Sequence, residues 1–445
     1  MTRYFKALVF MMAVVFIAGN AWSVEYAPEG KGDVLMFPFY ATFDGGWQTK
    51  LTVVNTDQTT NSVAKVVIRS PKYSGELLDF LVYLSPADVW TGTLKFDPAF
   101  DGPMLYSDDD SIISGFDNEG YNNAASDETM SDFVTYGNEV AAERGLYTSN
   151  SQKNLVGGDY AEMGYAYVIN VASWEADGRP VAKNDIVDEY LPFDDSTIGV
   201  SVPEPENSLA GWSDFQIADY GVASLNAVAL KDYDNLTKIV PQKETVLAPS
   251  SHDGFTNTDN SGGSSATTLK DIEFALAKNN IAMPYLSTDS AFSAHIFTFP
   301  TKYTKIGEYT DIGESGLDNM NSTSGWPGFI STEDYTDEYK AEVANYNAHL
   351  YNLQEKSPAA DDPIWSPSPA PETYRFPFEQ NLNFSSDFDY DEGWVNYKIS
   401  VPEAEELTNG IDWAPVIPVS LDFTLDGMSF KYGAWTQGTV DYTDD

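Results

Sequence analysis

No cysteine occurs in the 445 residues. That absence excludes disulfide staples, thiolate nucleophiles, zinc centres with Cys ligands, iron–sulfur clusters and thioether-linked haem. The chain must therefore be held by its core, and 42% hydrophobic with 14% aromatic residues is enough for one large domain or two ordinary ones. Histidine is almost as scarce: His252, His295 and His349 are the only three. There is no G-x-S-x-G elbow, no HExxH, no phosphate-binding P-loop and no dinucleotide fingerprint. Positive charge is short as well, with 24 Lys and Arg against 68 Asp and Glu and a formal net charge of −44. Nucleic acid and anionic lipid are poor partners for such a surface, because phosphate contacts need clustered Lys and Arg.

Long apolar runs are missing except at the start, where "MTRYFKALVFMMAVVFIAGNAWSVEY" places Arg3 and Lys6 before an apolar stretch from Ala7 to Gly19. Ala21-Trp22-Ser23 then gives a small-x-small cleavage pattern, so residues 1–23 read as a secretory signal peptide and the mature chain is expected to begin at Val24. A membrane anchor needs about 20 apolar residues, more than this run offers, and no transmembrane segment is expected in the mature chain. Export places the protein in the periplasm, on the outer surface or outside the cell. Losing Arg3 and Lys6 leaves 22 basic residues and a formal charge of −46. Divalent cations are the natural counter-ions of so acidic a surface.

What is present reads mainly as β-strand. Two β-branched runs, around Leu51–Val54 and Val63–Ile68, flank the turn-rich stretch Thr56–Asn61 as a hairpin would. "LLDFLVYL" and "DVWTGTLKF" follow, the latter with Trp90, Leu94 and Phe96 at even spacing. Residues 101–160 turn acidic and rich in Gly, Asn and Ser, with a short helix expected through "SDFVTYGNEVAAERG". Alternation resumes in "MGYAYVINVASW", and "AHIFTFPTKY" forms a later strand. Between them, "TTLKDIEFALAKNN" carries Thr268 and Asp271 at capping-box spacing and predicts a short helix. "STEDYTDEYKAEVANYNAHLYNLQEK" has acids in its first turns, no internal Gly or Pro, and Lys356 at its end; it predicts the strongest helix of the chain. The Pro-rich "SPAADDPIWSPSPAPE" is an extended connector, after which "GWVNYKISVPE" and "PVIPVSLDFTLDGMSFKYGAW" return to strands with a turn at Asp426-Gly427.

These patterns predict a mainly β fold, an antiparallel β-sandwich or jelly-roll-like architecture with long acidic loop insertions and a few short helices. Residues 24–100 supply its N-terminal strands, 101–377 the inserted loops, helices and middle strands, and 378–445 the C-terminal strands that complete it. The alternative is two separate sandwiches. Insertion into one sandwich is preferred, because structureless 60-residue linkers are uncommon inside compact domains.

One stretch invites a metal. "SDFDYDEGW" sets Asp387, Asp389 and Asp391 at alternate positions, as in an EF-hand loop where alternate oxygens wrap one calcium. Gly393 then falls at the seventh place rather than the sixth, and the twelfth is Lys398 instead of a bidentate Glu. What remains is a weak calcium candidate, otherwise the solvated approach to a strand that begins at Trp394. Asn257, Asp259 and Ser261 before Gly262 match the loop opening better but end on Thr268, and Asp108-Asp109-Asp110 reads as a solvated turn. No cofactor other than calcium has a candidate site. His295, set between alternating apolar residues, reads as structural rather than as a base. A glycosidase pair of carboxylates cannot be picked from 68 acids.

At "DVLMFPFY", "GGWQTKLTVVNT", "ELLDFLVYLSPADVWTGTL", "HIFTFPTKY" and "FKYGAW" the sequence resembles a family of uncharacterised secreted β-sandwich proteins of Gram-negative anaerobic bacteria. The shared motifs are strand patterns, so the resemblance implies a scaffold and transfers no active-site residue. The functional expectation is a secreted, non-catalytic structural or adhesive protein whose partners are other copies of itself or surface polymers. The alternative is a carbohydrate-binding or carbohydrate-cleaving exoprotein, for which 27 Tyr, 25 Phe and 10 Trp offer stacking surfaces.

Overall fold

The structure, a computed structural model, describes residues 24–69, 71, 76–98, 102–107, 111–112, 134–135, 142–145, 162–176, 207–218, 220–233, 272, 275–301, 345–352, 374–375, 379–388, 390–400 and 414–437. In chain order the strands are β1 (Glu25–Tyr26), β2 (Val34–Ala41), β3 (Trp47–Asn55), β4 (Thr60–Arg69), β5 (Glu76–Leu84), β6 (Val89–Asp97) and β7 (Gly102–Ser107). Next come β8 (Val134–Thr135), β9 (Ala142–Gly145), β10 (Met163–Glu175), β11 (Leu209–Ile217), β12 (Gly221–Asn226), β13 (Val228–Lys231), β14 (Ala277–Thr288) and β15 (Ala291–Thr298). The last are β16 (Asn345–Asn352), β17 (Tyr374–Arg375), β18 (Gln380–Phe384), β19 (Glu392–Ser400), β20 (Ala414–Pro415), β21 (Ile417–Thr424), β22 (Gly427–Tyr432) and β23 (Ala434–Gln437).

All pairings among them are antiparallel, and they form three hydrogen-bonded sheets. An inner N-terminal sheet runs β1-β13-β2-β10-β4-β5, and an outer one runs β12-β11-β3-β6-β7-β9-β8. The third sheet bends in two at the β14–β15 hairpin, which is paired only at Ser287–Phe292 and Thr288–Ala291. Beyond that turn β15 lies between β18 and β21, with β22 outside, while β14 lies between β19 on one edge and β20 and β23 on the other.

Three apolar clusters fill the spaces between these layers. Leu51, Val53, Trp90 and Leu94 of the outer N-terminal sheet meet Leu35, Phe37, Val66 and Val168 of the inner one. The opposite face of that inner sheet, with Val34, Met36, Tyr167 and Ile169, packs on Ile296, Val419 and Leu421 of the β15 half. Phe297 and Phe299, the alternate residues of β15 and its extension, turn the other way, toward Met283, Val395 and Tyr397 of the β14 half. The expected sandwich is therefore four layers deep, and its two middle layers are apolar on both sides. This accounts for β2 and β4, whose residues are buried throughout. Removing each of their Val, Leu, Ile, Met and Phe side chains from water contributes about 1.5–3 kcal/mol.

Strand β2 keeps both faces apolar only by changing step at Pro38. Val34 and Met36 face the β15 half and Leu35 and Phe37 the outer sheet, but after Pro38 it is Phe39 and Ala41 that face the β15 half. The pairing shows why: Gly164 lies opposite Tyr40 and Ala166 opposite Phe37, so two residues of β2 stand against one of β10. Proline has no N–H to give to the ladder, which makes Pro38 a fitting residue for the bulge. The Pro38 carbonyl is met instead by side chains of the C-terminal region, Thr298 Oγ1 at 2.6 Å and Gln380 Nε2 at 2.8 Å.

Four local expectations are corrected. Leu51–Val54 and Val63–Ile68 are strands, but they do not form a hairpin: β3 pairs with β6 and β11, and β4 with β5 and β10. The turn between them is a corner where the chain changes sheets. Asn55 ties it down by donating Nδ2 to the carbonyls of Thr60, Leu84 and Ser85. Asp57 Oδ1 accepts from Thr59 N, Thr59 Oγ1 and Thr60 N, bonds that hold its carboxyl below the ordinary value. Second, where the segment at 131–145 is described, Val134–Thr135 and Ala142–Gly145 are strands of the outer N-terminal sheet, not a helix. Third, the expected helix of 331–356 is strand β16 at Asn345–Asn352, paired with β19, and its remainder lies outside the described residues. Fourth, the helix of 267–280 reaches no further than Leu276; Ile272, Ala275 and Leu276 are helical, and β14 begins at Ala277.

Candidate functional site

Two regions collect chemically active side chains among the described residues. The first is built by β15 and β21. Ser293 Oγ donates to Asp422 Oδ1 at 2.6 Å, Ser420 Oγ donates to the same oxygen at 3.0 Å, and Lys431 Nζ reaches Asp422 Oδ2 at 2.5 Å. His295 stands two residues along β15 from Ser293, so nucleophile, imidazole and carboxylate share one neighbourhood. They are not arranged for catalysis. His295 Nδ1 lies 2.8 Å from Tyr397 Oη and Nε2 lies 2.9 Å from the Pro284 carbonyl. A carbonyl can only accept, so Nε2 carries the proton and Nδ1 accepts from the tyrosine hydroxyl. Both nitrogens are thereby used, and neither faces Ser293. Ser293, His295 and Ser420 are each 0% exposed, and Asp422 is 2% exposed. Burial pushes the imidazole down to about 4, so it is neutral at neutral pH. The group joins the β15 half to the β14 half, with its Ser, His and Asp side chains buried. This agrees with the structural reading of His295. His349 lies on β16 opposite Asn396, and His252 is outside the described residues.

The calcium candidate lies beside this network. Ser385–Asp387 form a single 3₁₀ turn at the end of β18. Phe388, the next residue, is buried against the Tyr285 ring at 4.7 Å. Asp391 is exposed, and its carbonyl accepts from Ser287 N at 2.7 Å. Asp389 lies outside the described residues, as do Asp108–Asp110 and the segment from Asn257 to Thr268. Among the described residues no three His, Asp or Glu side chains stand close enough to hold a metal ion. From Val395 the strand alternates with Val395, Tyr397 and Ile399 buried, so the stretch leads from an exposed turn into the core.

The second region is exposed and apolar. At one end of the stack the turns at 43–46, 218–221, 288–291 and 424–427 come together. The contacts are tight: a Cβ on Gly46 would lie 2.9 Å from Ala218 Cβ, and one on Gly427 would lie 3.1 Å from the Tyr220 carbonyl. Gly46 and Gly427 also hold positive φ angles of 93° and 134°, which a side chain would oppose. Aromatic rings line this end. Phe292 stacks on Phe423 at 4.7 Å, Tyr220 meets Phe423 edge-on at 5.9 Å, Trp47 lies 6.3 Å from Phe423, and Phe384 lies 6.4 Å from Phe292. Phe423 is 7% exposed, whereas Tyr220 and Phe384 are 46% and 47% exposed. Leu425, at the β21–β22 turn, is 86% exposed and Val222 59%. Sequence reading missed this patch because its residues come from five distant segments, each carrying one or two rings that look like ordinary core. The repeated Asp-Gly turn chemistry, at Asp44-Gly45 and Asp426-Gly427, was its one visible sign.

No helix among the described residues is long and apolar enough to cross a membrane. The chain matches no family model, no curated protein and no solved structure.

Proposed function

We propose that this chain is a secreted, non-catalytic structural or adhesive protein acting at or outside the cell surface. The observation that carries this reading is a division of labour among the described side chains. The one cluster with nucleophile, imidazole and carboxylate is buried and internally hydrogen-bonded, while Tyr220, Phe384 and Leu425, three of the six large hydrophobic side chains exposed among the described residues, stand together at one end of a thick β stack. Large exposed apolar side chains grouped together mark contact surfaces. The basic n-region with its short apolar run supports export. The reading is tested by adding labelled mature chain to the cells that produce it. Saturable retention on the cells supports it; an exported chain that is never retained, yet depolymerises a polysaccharide, overturns it.

A carbohydrate-binding role is the second reading, and the exposed Tyr220 and Phe384 rings favour it, since such rings stack on sugar faces. Saturable, reproducible signals on a glycan array would support it over adhesion through protein.

A further inference from the structure

We propose that the aromatic turn end docks a cationic polypeptide segment, one bearing Lys or Arg together with aliphatic or aromatic side chains. The proposal rests on the adhesive reading and names its face and its partner.

The two exposed rings are inclined to the stacked Phe292–Phe423 pair between them. Tyr220 stands at 83° to Phe423, and Phe384 at 56° to Phe292. Sugar stacking favours a flat platform, whereas inclined rings with Leu425 at the adjoining turn make a corrugated surface suited to side chains. The rim is acidic. Asp44, Asp289 and Asp426 occupy three of the four turns and are exposed. No Lys or Arg occurs within 43–46, 218–222, 288–291, 384–386 or 424–427. The nearby Lys431 is directed to Asp422. Ring faces with carboxylates around them attract ammonium and guanidinium groups through both the ring quadrupole and charge. Charge complementarity argues against a second copy as the occupant, because two such rims on chains of net charge −44 would meet like to like. The same net charge would draw a basic partner from a distance.

The test is fluorescence anisotropy of labelled synthetic peptides with the full chain, comparing alternating Lys/Leu, Lys/Ser and Glu/Leu peptides at physiological salt. The variants are Tyr220→Ser with Phe384→Ser, and Asp44→Asn with Asp289→Asn and Asp426→Asn. All five side chains are exposed, and an unchanged melt confirms that each variant is folded. The Lys/Leu peptide is expected to bind best and to lose about tenfold in affinity in the ring variant. The Asp variant loses a smaller factor, together with part of the salt dependence. Equal binding to wild type and ring variant, or equal binding of Lys/Ser and Lys/Leu, would reduce the effect to bulk charge and overturn the proposal. So would displacement of the peptide by an oligosaccharide, or wild-type self-association that the ring variant loses. Retention on cells that survives the ring variant sinks this assignment and leaves the adhesive reading standing.

Discussion

The side-chain amide of Gln380 donates to the carbonyl of Pro38, 342 residues earlier, at 2.8 Å and to that of Gly164 at 2.9 Å. Both acceptors sit at the bulge where β2 and β10 fall out of step, so a residue of the C-terminal region completes the ladder of an N-terminal sheet. Gln380→Ala is expected to destabilise the protein by about 1–3 kcal/mol through loss of its two buried hydrogen bonds. Thr298→Val should couple to it in a double-mutant cycle, since Thr298 also donates to Pro38. Urea midpoints of the two single variants and the double decide the point; strictly additive losses would contradict the shared acceptor.

That link bears on the number of folding units. One cluster contains Val34 and Met36 with Val419 and Leu421, so the first and last strand groups share a core although they share no sheet. A chain ending at residue 393 loses β21 and β22 and uncovers one face of the inner N-terminal sheet. It should lose its cooperative thermal transition and its near-ultraviolet circular dichroism. A truncated chain that still melts cooperatively would establish two independent domains.

The neutral His295 gives a pH dependence with a defined sign. Its folded value of about 4 lies below the ordinary 6.5, so between these limits the unfolded chain binds the proton and the folded one does not. Its contribution is flat above pH 6.5, and stability is lost as pH falls toward 4, by roughly 3 kcal/mol in all. His295→Gln removes this component while retaining a donor and an acceptor. Denaturation curves of the two proteins should diverge across pH 6.5 to 4, the wild type falling faster; parallel curves would contradict the buried neutral ring.

Replacing Asp387, Asp389 and Asp391 together with Asn should leave the melting temperature in excess EDTA unchanged or slightly raised, by relief of repulsion. Any rise caused by calcium should be the same in both proteins, coming from screening of the whole acidic surface. A single saturable calcium site in the wild type that the triple variant loses would make this stretch a ligand loop.

Val24 is 3% exposed and packs in the cluster that joins the two halves, and β1 begins at the next residue. Cleavage after Ser23 therefore leaves a chain that starts in the core. Intact mass of the exported protein should correspond to residues 24–445, and a product retaining Arg3 would refute the processing site.

Much of the strand content was legible because β5, β6, β10 and β15 alternate or run apolar between clear breakers. The depth of the stack was not. In β10 every second residue was read as facing a core, yet Ala166 and Val168 are as buried as Tyr165 and Tyr167, because small residues pack against the outer sheet. Asn55–Thr60 carries turn residues that serve a hairpin or a sheet-changing corner equally well, and only the partners of β3 and β4 distinguish them. At 345–352 the absence of Gly and Pro and the acids ahead suggested a helix; pairing along β19, distant in sequence, overrides so weak a local preference. The turn-end patch was invisible for a related reason, since adjacency among Trp47, Tyr220, Phe292, Phe384 and Phe423 exists only after the layers are stacked.

Strand β10 lies between β2 and β4, two strands made long before it, and β15 lies between β18 and β21, both made long after it. Neither middle layer can be zipped up by adding strands in the order of synthesis. The early strands must wait with an open seat between them, and β15 must wait for the chain's last quarter. Closing such long loops is slow, because their entropy is spent before the contacts form. Because the layer around β15 cannot be finished until β21 and β22 near the end of the chain are present, the full stack closes only when synthesis is nearly complete, which is the condition in which a polypeptide can be threaded through a membrane before it acquires its shape.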